Sequence, residues 1–356
     1  MSIRANKLTS LLFFKSIVSS NFKRLSFPLK ISYVVTYRCN LKCKMCNIWK
    51  KPDIQDELTI KEVENFFKRA NRFSWIGFTG GEVFLRPDLQ ELMDVLLFYS
   101  KRLDAVHFAT NGQLTNEAVA LTQHMRKRKK GLKVLYTVSI DGPSSLHDEI
   151  RGQRGAWDKA VHTFRLLKET EGVKAQIGFT LSEYNMGKFP DTFMALKSKY
   201  PQLKFDDMTV NIFQRSSIYY SNQDMQILDR DKTVKAIRDI LEMDRERLSV
   251  NNFLRRKYLK LYLEYINTDK CPLKCQALSS SCFMDPYGNL FPCTIYSKKL
   301  LNIKDLKQDF IDVWNSDYAK RLSHECSNYI CPSCWSPCDA YSTIGGSLIK
   351  ACLSNS

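Results

Sequence analysis

No stretch of the 356 residues approaches the roughly 18–20 uninterrupted apolar residues that a membrane-spanning helix needs. Residues 8–18 are apolar in part, but Lys15 interrupts them and no small-residue cleavage site follows, so the pattern of a secretory signal is missing too. Acidic side chains are in deficit, 37 against 54 lysines and arginines, and the net charge of +17 gives a surface that attracts anions. Nucleic acid, an anionic membrane, a phosphorylated substrate and an acidic peptide all fit, and charge alone does not choose among them. With 44% hydrophobic residues the chain is not disordered by composition, and it is long enough for one large domain plus a smaller one. The two absences point to the cytosol, where thiols stay reduced, and there grouped cysteines are metal ligands rather than disulfides. The chain has twelve.

Residues 8–25 carry apolar side chains at broadly helical spacing, with Lys7, Lys15, Lys23 and Arg24 around them. Such a segment, taken as residues 1–30, lies either on a membrane surface, as a peripheral contact, or on the protein's own body. From residue 31 the spacing predicts strands near 31–37, 75–79, 105–109, 133–140, 173–181 and 205–212, with helices near 59–72, 87–101, 115–129, 157–170 and 187–199. Strands alternating with helices imply right-handed βαβ units around a parallel sheet, spanning 31–215. A helical connector covers 216–270, where Tyr258, Tyr262 and Tyr265 form a stripe of core spacing. Residues 271–356 hold nine of the twelve cysteines in a loop-rich segment too small to be held by apolar burial alone, which makes bound metal the expected staple.

Cys39, Cys43 and Cys46 lie within eight residues, directly after the first strand. Three thiolates at a strand's carboxyl end can converge on a four-iron cubane and leave its fourth iron open, as a catalytic zinc keeps an open position. A structural zinc site would show paired C-x2-C elements or a nearby histidine, and this loop has neither. The spacing C-x3-C-x2-C after a first strand resembles the signature of the radical S-adenosylmethionine superfamily, whose fold is a partial (β/α)6 TIM-like barrel. The resemblance implies an α/β fold, a [4Fe-4S] cluster on Cys39, Cys43 and Cys46, and S-adenosylmethionine chelated through its methionine moiety to the open iron. One electron, supplied by a donor such as flavodoxin or ferredoxin, then gives a 5′-deoxyadenosyl radical. The residue before the third cysteine, commonly aromatic in that family, is Met45 here, so only its backbone is left to contact adenine.

Ligands of α/β sheets bind beyond the carboxyl ends of the strands. The second strand ends in Gly80-Gly81-Glu82, where glycines permit close backbone approach and a carboxylate can accept from an ammonium group. The string is similar to the family's GGEP motif, which holds the methionine amino group, with Val83 in place of proline. The third strand ends in Thr110-Asn111-Gly112, by itself an ordinary turn, which adds Asn111 to the candidates. The fourth ends in Ser139-Ile140-Asp141-Gly142-Pro143, followed by His147, Asp148 and Arg151. In similar enzymes this stretch contacts the ribose through serine or aspartate and the methionine carboxylate through arginine, which implies those roles for Ser139, Asp141 and Arg151. His147 is equally a structural or a catalytic candidate.

Residues 275–293 read as a hairpin turning at Asp285-Pro286-Tyr287-Gly288, with Cys275 and Cys293 on opposite arms, and Cys331-x2-Cys334-x3-Cys338 forms a tight knuckle. The spacing C-x12-G-x4-C followed by C-x2-C resembles the auxiliary-cluster domains known as SPASM (two clusters) and Twitch (one cluster). The two-cluster pattern has C-x2-C-x5-C-x3-C, so the resemblance implies one auxiliary [4Fe-4S] cluster on Cys275, Cys293, Cys331 and Cys334, with Cys338 an alternative ligand. Cys271, Cys282, Cys326 and Cys352 are then spare or belong to a second site, and a zinc knuckle is the competing reading.

The expected activity is oxidation or bond formation begun by hydrogen abstraction from an unactivated C–H, with the auxiliary cluster handling an electron or binding substrate. The substrate is either a lipid-linked, sugar or other small molecule, or a ribosomal peptide. A basic, metal-stabilised nucleic-acid-binding protein is the alternative class, but it leaves the motifs at successive strand ends unexplained. Anaerobic reconstitution separates them: the enzyme predicts a brown protein with about eight irons per chain in two cubanes and 5′-deoxyadenosine release on reduction with S-adenosylmethionine. Near twelve irons would mean two auxiliary clusters.

Overall fold

The computed structural model describes residues 16–20, 22–51, 56–244 and 249–347. Runs of β-branched and aromatic residues form β1 (Lys30–Val34), β2 (Trp75–Thr79), β3 (Ala105–Thr110), β4 (Lys133–Ser139), β5 (Val173–Leu181) and β6 (Met208–Ile212). Between them run α1 (Ile60–Arg69), α2 (Leu89–Tyr99), α3 (Thr115–Arg128), α4 (Ser144–Arg151), α5 (Ala156–Glu169) and α6 (Phe189–Lys199). α1 starts where Thr59 and Glu62 form a reciprocal capping box. β1 stops three residues short of the expected Tyr37, because Thr36 and Tyr37 turn away to donate to the Glu57 carboxylate, at 2.8 and 3.0 Å.

All six strands pair in parallel, in the order β6-β5-β4-β3-β2-β1. One sheet face is fully buried. Phe78, Phe108 and Tyr136 stack across β2, β3 and β4 with centroids 4.9 and 5.2 Å apart, in one core with Phe66, Leu92 and Leu96 of the helices. The opposite face carries Ser32, Thr137, Gln176, Thr180, Thr209 and Asn211, all half-exposed. Parallel sheets usually bury both faces; here the inner one is open and polar.

The connector forms α7 (Arg230–Met243) and α8 (Val250–Thr268). The tyrosine stripe is core: Tyr258 stacks on buried Trp335 at 6.3 Å, the Trp335 indole donates to the Tyr258 carbonyl, and the Tyr265 hydroxyl donates to the Ser333 carbonyl at 3.2 Å. It thereby anchors the cysteine knuckle.

The sheet runs across the expected domain boundary at 271. β7 (Ser281–Met284) pairs in parallel with β1, and β8 (Asn289–Phe291) and β9 (Leu301–Asn302) continue it antiparallel, giving nine strands. The hairpin turns at Asp285–Gly288 as expected, but its arms are short. Cys282 sits on β7, and Cys275 and Cys293 lie in the flanking loops rather than on opposite arms. α9 (Phe310–Trp314), α10 (Asp317–Ser327) and α11 (Pro337–Gly346) complete the fold.

The described part of the amphipathic N-terminal segment packs on the protein itself. Leu25 and Leu29 donate to the Ser279 and Ser280 carbonyls, the Arg24 guanidinium lies 4.6 Å over the Trp314 ring, and Ile17 is positioned beside Gly345. Residues 1–15 lie outside the described residues. Among the described residues no helix is long and apolar enough to cross a membrane.

One buried ion pair locks the connector to the barrel. Arg255 donates to Asp244 at 2.7 Å and to the Phe205 and Met208 carbonyls at 3.0 and 2.8 Å, with both side chains at most 2% exposed. Arg255→Ala would leave the buried Asp244 charge without its cation, though Asn252 Nδ2 still donates to it, and is expected to lower unfolding free energy by about 3–5 kcal/mol. Chemical denaturation measures it.

Candidate active site at the carboxyl ends of the strands

The cysteine loop after β1 is held by backbone. Gly81 donates to the Thr36 carbonyl at 2.9 Å, Glu82 to that of Arg38 at 2.7 Å, and Lys42 and Lys44 to the end of α4 at Arg151 and Ile150. A Cβ on Gly80 would lie 2.5 Å from the Thr36 oxygen, and one on Gly81 2.0 Å from that of Arg38. The glycine pair is therefore what lets β2 close on the cysteine loop.

Around the thiols stand donors. Asn111 Nδ2 lies 4.0 Å from Cys39 Sγ, Arg151 Nη1 3.6 Å from Cys43 Sγ, and the Ile48 amide 3.5 Å from Cys46 Sγ. Burial pushes Cys39 up to about 11 and Cys46 up to about 12, because backbone donors and Arg151 offset only part of the cost of desolvating their charge. Bound iron supplies the missing cation. Among the described residues no three His, Cys, Asp or Glu side chains are gathered closely enough to hold a single metal ion. A cubane needs a wider set, with each sulfur on a different iron.

Glu82 is fully buried; its carboxylate accepts from the Thr110 hydroxyl at 2.8 Å and the Asn111 amide at 2.7 Å. Asn111 Nδ2 in turn donates to Asn40 Oδ1 at 2.7 Å. Burial raises the Glu82 carboxyl to about 7, against the opposing pull of these donors. Asp141, also fully buried, accepts from the Thr180 amide at 2.8 Å and pairs with Arg151 Nη2 at 2.5 Å. The buried Arg151 Nε has no hydrogen-bond partner, which leaves one donor for an anionic ligand beside Cys43. Ser139 is half-exposed on the open inner face. Met45 is buried, with its carbonyl accepting from Asn222 Nδ2 at 3.1 Å. His147 accepts from the Asp141 amide at 3.1 Å, and burial, with Arg151 nearby, pushes it down to about 2, so the ring is neutral, and its buried Nε2 has no hydrogen-bond partner. The donor set and the spare guanidinium nitrogen fit an iron–sulfur cluster with a carboxylate-bearing ligand.

In the C-terminal region, Cys275 Sγ accepts from the Ala277 amide and Cys293 Sγ from those of Ile295 and Tyr296. Cys275, Cys293, Cys331 and Cys334 share one neighbourhood, and burial lifts Cys275 and Cys334 well above the ordinary thiol value. Cys271 and Cys326 join them. The Cys338 side chain and Cys352 lie outside the described residues.

Residues 33–193 match the Radical SAM superfamily, and residues 275–339 match SPASM, an iron–sulfur cluster-binding domain. The chain belongs to the radical SAM superfamily and carries a SPASM domain. It is 25% identical over 332 residues to the antilisterial bacteriocin subtilosin biosynthesis protein AlbA of Bacillus subtilis, across 89% of this chain and 68% of that protein. It is 29% identical over 259 residues to Fe-coproporphyrin III synthase of Methanosarcina barkeri, across 69% of this chain and 61% of the relative. The fold resembles that of anSMEcpe, solved with bound AdoMet and the Cp18Cys peptide, with a TM-score of 0.59, 19% identity, and 83% and 82% of the two chains covered.

As a radical SAM enzyme the chain implies a [4Fe-4S] cluster and S-adenosylmethionine, and its SPASM domain implies auxiliary iron–sulfur clusters. Several site residues gave no sequence signal. Tyr219, within an irregular polar stretch, reaches Thr79 Oγ1 at 2.5 Å and the Gly80 carbonyl at 3.4 Å. Asn222 and Asn47 clamp the same stretch onto the cysteine loop. Asn185 donates to the Asp141 carbonyl from beyond β5.

The Glu82 carboxyl sets a pH dependence. Raised from 4.5 to about 7, it binds a proton in the folded protein that the unfolded chain has released. Stability is therefore lost as pH rises from about 4.5 to about 7, by about 3 kcal/mol, and is flat above that. The difference in unfolding free energy between wild type and Glu82→Gln should follow this curve; a pH-independent difference would contradict it.

Proposed function

We propose that this radical SAM enzyme modifies a peptide, taking a hydrogen from an unactivated C–H, with a SPASM-domain cluster accepting an electron from the substrate or binding it. When bound, the N-terminal cluster supplies the electron that opens the sulfonium of S-adenosylmethionine. Cys39, Cys43 and Cys46 hold that cluster, Arg151 offers a cation to the methionine carboxylate, and Asp141 fixes the guanidinium. Glu82 orients the Thr110-Asn111 strand end, and Ser139 faces the open side where the ribose would lie. An external electron donor fits the exposed Lys42, Lys44 and Lys50 beside the loop, since an acidic partner complements them.

The observation that carries the peptide reading is the half-exposed inner sheet face next to this site. From Ser32 to Asn211 it offers neutral hydrogen-bonding groups, and its lysines, Lys30, Lys133 and Lys174, stay at the far, amino-terminal strand ends. His107 on this face bonds Thr137 at 2.8 Å, and burial holds it down at about 4, hence uncharged. Such a wall suits peptide amides better than an anionic lipid headgroup, whose charge the neutral side chains along it would leave unpaired. AlbA, named for bacteriocin biosynthesis, supports the same reading.

The test supplies two deuterated pools, neutral synthetic peptides and anionic lipids, and follows label into released 5′-deoxyadenosine by mass spectrometry. Label is expected from the peptides alone; label from lipids alone overturns the assignment. Cys43→Ala is expected to abolish deoxyadenosine release, while Cys334→Ala spares cofactor cleavage and stops product formation.

A further inference from the structure

The nine cysteines beyond residue 270 are more than one cubane uses, and the structure sorts them. Cys282 sits on β7, its thiol directed at the Lys30 carbonyl, 4.0 Å away, rather than at another cysteine. Cys326 does the opposite. It is 1% exposed at the last turn of α10, where the chain reverses through Tyr329, whose φ of 61° places it in the left-handed region. Beyond the reversal the Ile330 amide donates to the Glu325 carbonyl at 2.9 Å, which folds Cys331 back toward the end of α10 that carries Cys326. A second tether arrives from the hairpin side. Tyr296, whose amide donates to Cys293 Sγ at 3.3 Å, bonds through its hydroxyl to Glu325, the residue before Cys326, and Lys298 pairs with the same carboxylate at 3.1 Å. The loop bearing Cys293 and the helix bearing Cys326 are thus bound side by side.

Such fastening sets the Cys326 helix beside the Cys293 loop, and Cys271, Cys275, Cys331 and Cys334 lie near enough for their charges to act on one another, so four separate stretches of chain bring thiols to one region.

We propose that Cys326 is an iron ligand of the C-terminal domain, on the same auxiliary cluster as Cys331. The helix supplies from outside the knuckle a thiol that the C-x2-C-x3-C spacing lacks relative to the longer two-cluster pattern. The inference rests on the SPASM domain holding iron, and the experiment separates the two.

Full-length wild type, Cys326→Ala, Cys326→Ser and, as a control, Cys282→Ala are reconstituted anaerobically, and iron, acid-labile sulfide and the EPR spectrum of the reduced protein are measured. Cys326→Ala is expected to lose about four irons per chain or to change the auxiliary EPR signal, while still releasing 5′-deoxyadenosine from the intact N-terminal site. Cys282→Ala should match wild type in both. Cys326→Ser, which keeps the side chain's size, should also shift the signal, and it decides the matter if the alanine variant does not fold. Full iron with an unchanged spectrum in the serine variant overturns the assignment, as does an equal loss in Cys282→Ala. Only about four irons in wild type would remove the C-terminal cluster itself.

Discussion

The close approach of two backbones, Gly80-Gly81 of β2 against Thr36 to Arg38 of the cysteine loop, is the constraint on which the active site depends. Two amide-to-carbonyl bonds, from Gly81 and Glu82, pin the loop where no side chain on either glycine would fit. Because that loop is the continuation of β1, its three thiols are carried to the carboxyl end of the sheet, where the other motifs arrive by topology.

The charged groups there are arranged in pairs that orient one another. Glu82 and Asp141 are each fully buried and use their oxygens on neighbouring strand ends, Thr110-Asn111 and Thr180. Arg151 is the link between the networks, joined to Asp141 on one side and directed at Cys43 on the other. Buried polar groups of this kind hold a geometry when every member has its partner; the nitrogen of Arg151 without one marks where a ligand group belongs.

The C-terminal region is continuous with the barrel. β7 extends the barrel sheet, and Cys282 and Met284 share the core with Ile31 and Tyr33. A second apolar cluster, built from Val34, Tyr37, Tyr219, Phe283 and Phe291, lies between the cysteine loop and the hairpin. Displacing either cysteine region would therefore disturb packing shared with the other.

The strands and helices of the barrel were legible in the sequence because their apolar spacing reports a face buried against helices, and that local pattern needs no knowledge of the partner. Cys39, Cys43 and Cys46 were legible for a similar reason: their spacing along the chain sets their spacing in space. The motifs placed Glu82 and Asp141 at strand ends, but that their carboxylates brace the neighbouring strand ends was not legible, since Thr110 and Thr180 lie far from them in sequence. The sequence alone determined the fold class, the three-thiol loop and the chemistry those thiols imply. Tertiary structure decided that Tyr219 meets β2, that the sheet's inner face is open, and that Cys326 rather than Cys282 joins the other thiols. Contacts between distant segments depend on how whole elements pack, and no spacing along one segment encodes them.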